Sequence, residues 1–122
     1  SDLLAQSRDR YRLAELTIGD SPIKSQLTTL SQKLTEIEGV QNPVELKPAT
    51  MQLHDQLAAL LPHSGYTVRP ALAEIVGQYQ AIAHGSAVTV DPAVDGIPEI
   101  RLLLVRTYSI LATELETGRF SL

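Results

Sequence analysis

The sequence predicts an all-α protein, a bundle of four to five helices with one long loop between the last two helices. Apolar residues recur at steps of three and four over most of the chain, which places them on one side of a helix. Proline and glycine interrupt this pattern at intervals that suit helix ends. A length of 122 residues fits one domain over 1–122, which can bury about two thirds of its unfolded surface.

The first helix is predicted from Asp2 to about Ile18, and the second lies between Ser21 and Gly39. Ser21 can cap the second helix, Pro22 suits its first position, and Gly39 suits a left-handed residue at its end. The apolar stripe of this second helix is the clearest in the chain and consists of Ile23, Leu27, Leu30, Leu34 and Ile37.

A break is predicted over 40–47, because Asn42-Pro43 and Pro48 do not all fit inside one regular helix. The third helix is therefore expected to begin at Pro48. It carries a leucine-rich face and ends at Leu61, before Pro62.

The fourth helix is predicted over Val68–His84 and the fifth over Pro98–Gly118, separated by the long Gly85–Ile97 loop. The fifth helix is apolar over much of its circumference, since Leu102 and Val105 lie partly outside its main stripe. Such a helix is expected to be central or covered on two sides.

Composition excludes several function classes. The chain has no cysteine, which excludes disulfides, thiolate nucleophiles and cysteine-ligated metal sites. Its formal net charge of −4 argues against nucleic acid as a partner. No apolar run approaches the ~20 residues of a membrane span, and we expect a soluble protein in the cytoplasm. The chain begins at Ser1, which is consistent with removal of an upstream segment.

Short motif matches have simpler structural interpretations. Ser21-Pro22-Ile23-Lys24 matches S-x-x-K, but a helix cap explains the same residues. Asp91 and Asp95 match two positions of a calcium loop whose third and twelfth positions fail, so they are interpreted as turn residues. The three histidines show no zinc-binding spacing. We therefore predict no catalytic residue, no metal ligand and no cofactor.

The only basic cluster is Arg8, Arg10 and Arg12, which spread around the first helix, although Arg8 and Arg12 share a face. A phosphate-binding patch needs more convergent positive charge than this cluster offers. The arginines are interpreted as a solvated face, partly neutralised by Asp9 and Glu15.

The function predicted first is a non-catalytic interaction or assembly module, an adaptor or structural subunit that binds a protein partner or a second copy of itself. The apolar surface of the fifth helix supports this hypothesis, with Leu102 and Val105 as the interface residues. The alternative is that both residues lie in the core of a monomer.

A second hypothesis is a small-ligand-binding or enzymatic subunit with its site under the 85–97 loop. A loop of this length is unusual in a compact bundle and is typical of a lid or recognition segment. The polar groups of that site would be Tyr79, His84, Asp91 and Asp95.

Overall fold

The computed structural model describes residues 2–19, 22–89 and 96–118. Over these ranges the predicted all-α bundle is confirmed. It consists of one 3₁₀ turn (Leu61–His63) and five α-helices, which are α1 (Leu3–Thr17), α2 (Lys24–Glu38), α3 (Pro43–Leu60), α4 (Arg69–Ala83) and α5 (Pro98–Glu116).

The five helices share one aliphatic core. α1 packs along α5, α3 packs on both α2 and α4, and α5 also touches α2 and α4. As the sequence predicts, α5 is covered on more than one side. Its buried face contains Ile100, Leu103, Leu104, Thr107, Tyr108, Leu111, Ala112, Glu114 and Leu115.

α1 begins and ends within one residue of its predicted limits. The Asp2 carboxylate caps the helix and accepts hydrogen bonds from the N–H groups of Leu4 at 3.0 Å and Ala5 at 3.3 Å. Gly19 follows the helix with a φ of 64°, a left-handed conformation that favours glycine.

α2 buries its whole predicted stripe, but both of its ends differ from the prediction. It begins at Lys24, so Pro22 precedes the helix, and Ser21 lies outside the described residues. The buried side chain of Ile23 occupies the N-cap position without a side-chain cap, so packing fixes the first turn. The predicted left-handed conformation of Gly39 was wrong. Its φ is −84°, and its N–H continues the right-handed helix by donating to the Glu36 and Ile37 carbonyls.

The predicted break over 40–47 is confirmed only for 40–42, and its extension to residue 47 was wrong, since α3 begins at Pro43 and continues through Pro48. Asn42 caps the helix by accepting the Val44 N–H at 2.9 Å, and Pro43 occupies the first turn, where its missing N–H is no loss. Pro48 is exposed and removes only the hydrogen bond to the Val44 carbonyl. Since Val44 is itself exposed, that carbonyl lies near solvent rather than in the core.

Replacing Pro48 by alanine should stabilise the protein by about 1–2 kcal/mol. A helix-interior proline costs about 3 kcal/mol relative to alanine, and the more flexible unfolded chain returns up to about 1 kcal/mol of this gain. Urea unfolding followed by circular dichroism measures the change. Pro43→Ala is the matched control and should bring no gain, because proline suits the first helical turn. A Pro48→Ala variant no more stable than the control would contradict this account.

Two hydrogen bonds hold α4 and the turn before it against α5. The buried Glu114 carboxylate of α5 accepts the Gly65 N–H, just before α4, at 2.9 Å. Farther along, Tyr79 Oη lies 2.8 Å from Thr107 Oγ1. Because Thr107 donates its own proton to the Leu103 carbonyl at 2.7 Å, Tyr79 is the donor to Thr107. Beyond these points the two helices leave a groove between them.

Candidate functional site

The groove between α4 and α5 is an open cavity of about 310 Å³. Most of its lining atoms are aliphatic, and its walls continue from α4 onto Ala87 of the following segment. We call it the α4–α5 groove. Its lining residues are Gln78, Ala81, Ile82, Ala87, Glu99, Leu102, Leu103 and Arg106.

Of the two predicted interface residues, Leu102 is the one whose side chain faces the groove and solvent. Leu102 is 68% exposed and, unlike an isolated surface leucine, lies beside other aliphatic side chains in the lining of a concavity. Val105 is half-buried and packs against the hydrophobic core. The alternative of a core position therefore describes Val105 better than Leu102.

Glu99 places a carboxylate in the wall of this apolar groove. Its Oε1 atom accepts the Thr89 N–H, and this hydrogen bond holds the pKa of Glu99 below its usual range. The carboxylate is therefore charged at neutral pH. Its Oε2 atom is buried and has no hydrogen-bond partner. The groove thus contains an unused anionic acceptor, a feature that sequence reasoning missed because Glu99 resembles any acidic residue in a first helical turn.

Arg106 lies on the same α5 wall as Glu99, about two turns farther along, and already contacts α4. It donates to Gln78 Oε1 at 3.1 Å, and its Nη2 atom lies 3.6 Å from Glu74 Oε1. Arg106 therefore links the two helices rather than offering a free cation.

The two described residues of the predicted ligand loop, Tyr79 and His84, lie apart from each other. Tyr79 is fully buried and bonded to Thr107 inside the core. His84 is exposed and lines a separate cavity of about 400 Å³ between the start of α3 and residues 85–88. Asp91 and Asp95 lie outside the described residues, so the ligand-loop hypothesis stays a prediction.

The described ranges contain neither a metal-binding cluster nor a membrane-spanning helix. There, no group of three or more histidine, aspartate or glutamate side chains is arranged to hold a metal ion. Among the five helices, none has both the length and the apolar character needed to cross a membrane.

Comparison with known proteins adds no assignment. No protein-family model, curated protein or solved structure matches this chain. Any functional proposal must therefore rest on the chain's own residues.

Proposed function

We propose that this chain is a helical-bundle interaction module and that its α4–α5 groove binds an amphipathic helix of a partner protein. The observation that carries this proposal is the exposure of Leu102 at the edge of an aliphatic concavity. Burying that side chain and its neighbours against a partner would remove apolar surface from water, which is the main driving force of association.

The dimensions of the groove favour a short helical occupant. Its walls run from Gln78 to Ile82 on α4 and from Glu99 to Arg106 on α5. At a rise of about 1.5 Å per residue, the α5 wall is about 10 Å long. That length accommodates about two turns of a docked helix, with one or two large aliphatic side chains as anchors.

The charge of the groove favours a basic residue on that partner helix. Glu99 offers a buried carboxylate oxygen without a hydrogen-bond partner, which a lysine or arginine side chain can satisfy. We therefore expect the partner helix to combine aliphatic anchors with one basic side chain near the Glu99 end.

Selection from a library of helical peptides of 12–15 residues tests this proposal. Peptides selected by the wild-type protein should combine leucine-like anchors with lysine or arginine. Leu102→Asp should weaken their binding at least tenfold, because a charge replaces the apolar contact and hot-spot losses exceed about 1.4 kcal/mol. Glu99→Gln should weaken the lysine-containing peptides while preserving an oxygen that can accept the Thr89 N–H.

Leu13→Asp is the matched control, because Leu13 of α1 is 66% exposed and lies outside the groove. It should bind the selected peptides as the wild type does. Light scattering on the protein alone separates self-association: a dimer abolished by Leu102→Asp would make a second copy the occupant. Failure to select any peptide, or equal binding by both aspartate variants, would overturn the proposal.

A further inference from the structure

A second surface depression is lined by three arginines, two from α1 and one from α5. It has a volume of about 320 Å³ and lies between α1, the end of α2 and the start of α5. We call it the arginine depression. Its lining residues are Arg8, Arg12, Thr35, Glu38, Gly39 and Arg101.

The carboxylate of Glu38 is fully engaged within this depression. Its Oε1 atom accepts from Arg8, and its Oε2 atom accepts from the Tyr108 hydroxyl at 3.4 Å. Both oxygens of the only acidic lining side chain therefore have donors. These contacts hold α1, α2 and α5 together and account for part of the positive charge.

Positive charge remains after these contacts are counted. Arg101 Nη2 lies 3.6 Å from Asp2 Oδ2, and Arg12 reaches only the neutral Thr35 hydroxyl at 3.5 Å. The lining thus holds three guanidinium groups and one carboxylate, while Asp9 and Asp2 outside the lining pair with Arg8 at 3.9 Å and with Arg101 at 3.6 Å. Arg12 contacts the Thr35 hydroxyl rather than a carboxylate.

Hydrogen-bond donors also remain unused in the arginine depression. A guanidinium carries five N–H donors, and the contacts above use only a few of them. Arg8 Nε is buried and makes no hydrogen bond, since Asp9 Oδ1 lies 3.9 Å away, beyond hydrogen-bond distance. An unpaired buried donor is costly, so an anion that reached this atom would relieve that cost.

We propose that the arginine depression binds the phosphate group of a small phosphorylated molecule. Arg12 and Arg101 would supply forked, charge-assisted hydrogen bonds from two sides, and Arg8 Nε would complete the set. Phosphate suits this arrangement because its three oxygens can accept from several guanidinium groups at once. This site is independent of the α4–α5 groove and of the function proposed for it.

Isothermal titration with inorganic phosphate at constant ionic strength is the first test. The wild-type protein should bind with a saturable, one-site isotherm. Arg12→Gln and Arg101→Gln should each weaken binding at least fivefold. Arg106→Gln is the matched control, since Arg106 also lies on α5 but lines the other cavity, and its affinity should equal that of the wild type. Thermal unfolding verifies that each variant is folded.

A sugar phosphate and a short phosphoserine peptide then distinguish the two sources of a phosphate group. Tighter binding of the sugar phosphate than of inorganic phosphate, lost in Arg12→Gln, would support a small ligand. A peptide that binds tenfold tighter than the sugar phosphate would overturn that assignment. Binding that does not saturate, or that falls equally in Arg106→Gln, would overturn the site itself.

Discussion

Raising the pH above about 10 should unfold this protein over a narrow pH range. The cause lies in Tyr11, Tyr79 and Tyr108, whose side chains are almost completely buried. Burial raises the pKa of all three hydroxyl groups well above the ordinary value of 10.0. The folded protein therefore keeps these tyrosines neutral at a pH where the unfolded chain ionises them.

Nearby carboxylates raise the pKa of Tyr11 and Tyr108 further, whereas the hydrogen bonds of Tyr11 to Ser31 and of Tyr79 to Thr107 oppose the effect of burial. Tyr11 Oη lies 3.0 Å from Ser31 Oγ, which itself donates to Glu15, so Tyr11 is the donor. Tyr108 donates to Glu38, and its ring lies 5.5 Å from the Tyr11 ring, centroid to centroid. Ionisation would remove each of these donors and place negative charge beside a carboxylate.

The direction of the pH dependence follows from proton linkage. A group whose pKa is raised on folding contributes stability that is fully present below the unfolded pKa and is lost as the pH rises towards the folded pKa. Each such tyrosine can remove up to about 1.4 kcal/mol of stability per pH unit above that point. Three tyrosines acting together make the decline steep, because small domains have only about 5–15 kcal/mol of stability.

Tyrosinate absorbance at 295 nm and far-ultraviolet circular dichroism, recorded from pH 8 to 13, test this expectation. Most of the absorbance change should coincide with the loss of helix. Tyr79→Phe should make the decline shallower, whereas Tyr66→Phe should leave it unchanged because Tyr66 is exposed. Complete ionisation of the tyrosines in a protein that remained helical would contradict the argument.

The helices could be predicted from the sequence because their information is local. All five residues of the α2 stripe are buried, as the spacing of Ile23, Leu27, Leu30, Leu34 and Ile37 predicts. The sequence wrongly predicts a break before Pro48 because the cost of a proline inside a helix depends on tertiary context. Whether the carbonyl that it leaves unpaired faces solvent or the core cannot be deduced from its neighbours in sequence.

The candidate sites could be predicted only in part, because they depend on distances between helices. The sequence identified Leu102 as excess apolar surface but could not decide between interface and core, since that depends on how closely α4 approaches α5. Arg8 and Arg12 were recognised as sharing a face, but Arg101 joins them only through the packing of α5 against α1. Arg101 is far from Arg8 and Arg12 in the sequence, and only the folded chain brings their three positive charges together in the arginine depression.

Glu114 carries the second large effect that we expect, on the stability of the bundle. It is 1% exposed, and its Oε2 atom accepts the Gly65 N–H at 2.9 Å. Gly65 follows the buried Ser64, whose carbonyl accepts from Arg69 at 2.6 Å. Glu114 thus fixes the turn that leads into α4 to α5, and Arg69 of α4 binds the backbone of the same turn.

Glu114→Ala should lower the free energy of unfolding by about 2–3 kcal/mol. The substitution removes the hydrogen bond of a buried side chain and leaves the Gly65 N–H without an acceptor, and an unpaired polar group is costly in a buried position. For a domain of this size the melting temperature should fall by roughly 10 °C. Differential scanning calorimetry and urea unfolding measure the two quantities.

Two further variants separate the hydrogen bond from other effects of the Glu114 substitution. Glu114→Gln keeps an oxygen acceptor for Gly65 and should recover at least half of the lost stability. Glu116→Ala removes an exposed carboxylate on the same helix, which is paired with Arg10, and should change stability much less. An unchanged melting temperature in Glu114→Ala, or an equal loss in Glu116→Ala, would show that the Gly65 contact does not hold the turn.

The position of Glu114 also connects this stability effect with the α4–α5 groove. Its bond to Gly65 fixes one end of α4 against α5, and the groove opens at the other end, beyond the contact between Tyr79 and Thr107. The Tyr79 contact lies between Glu114 and the groove. Glu114→Ala should therefore destabilise the fold but change peptide affinity for the groove by less than about threefold, measured at temperatures below unfolding. A larger loss of affinity, measured by titration of a selected peptide, would mean that the two helices move as one unit and that the Gly65 contact sets the width of the groove.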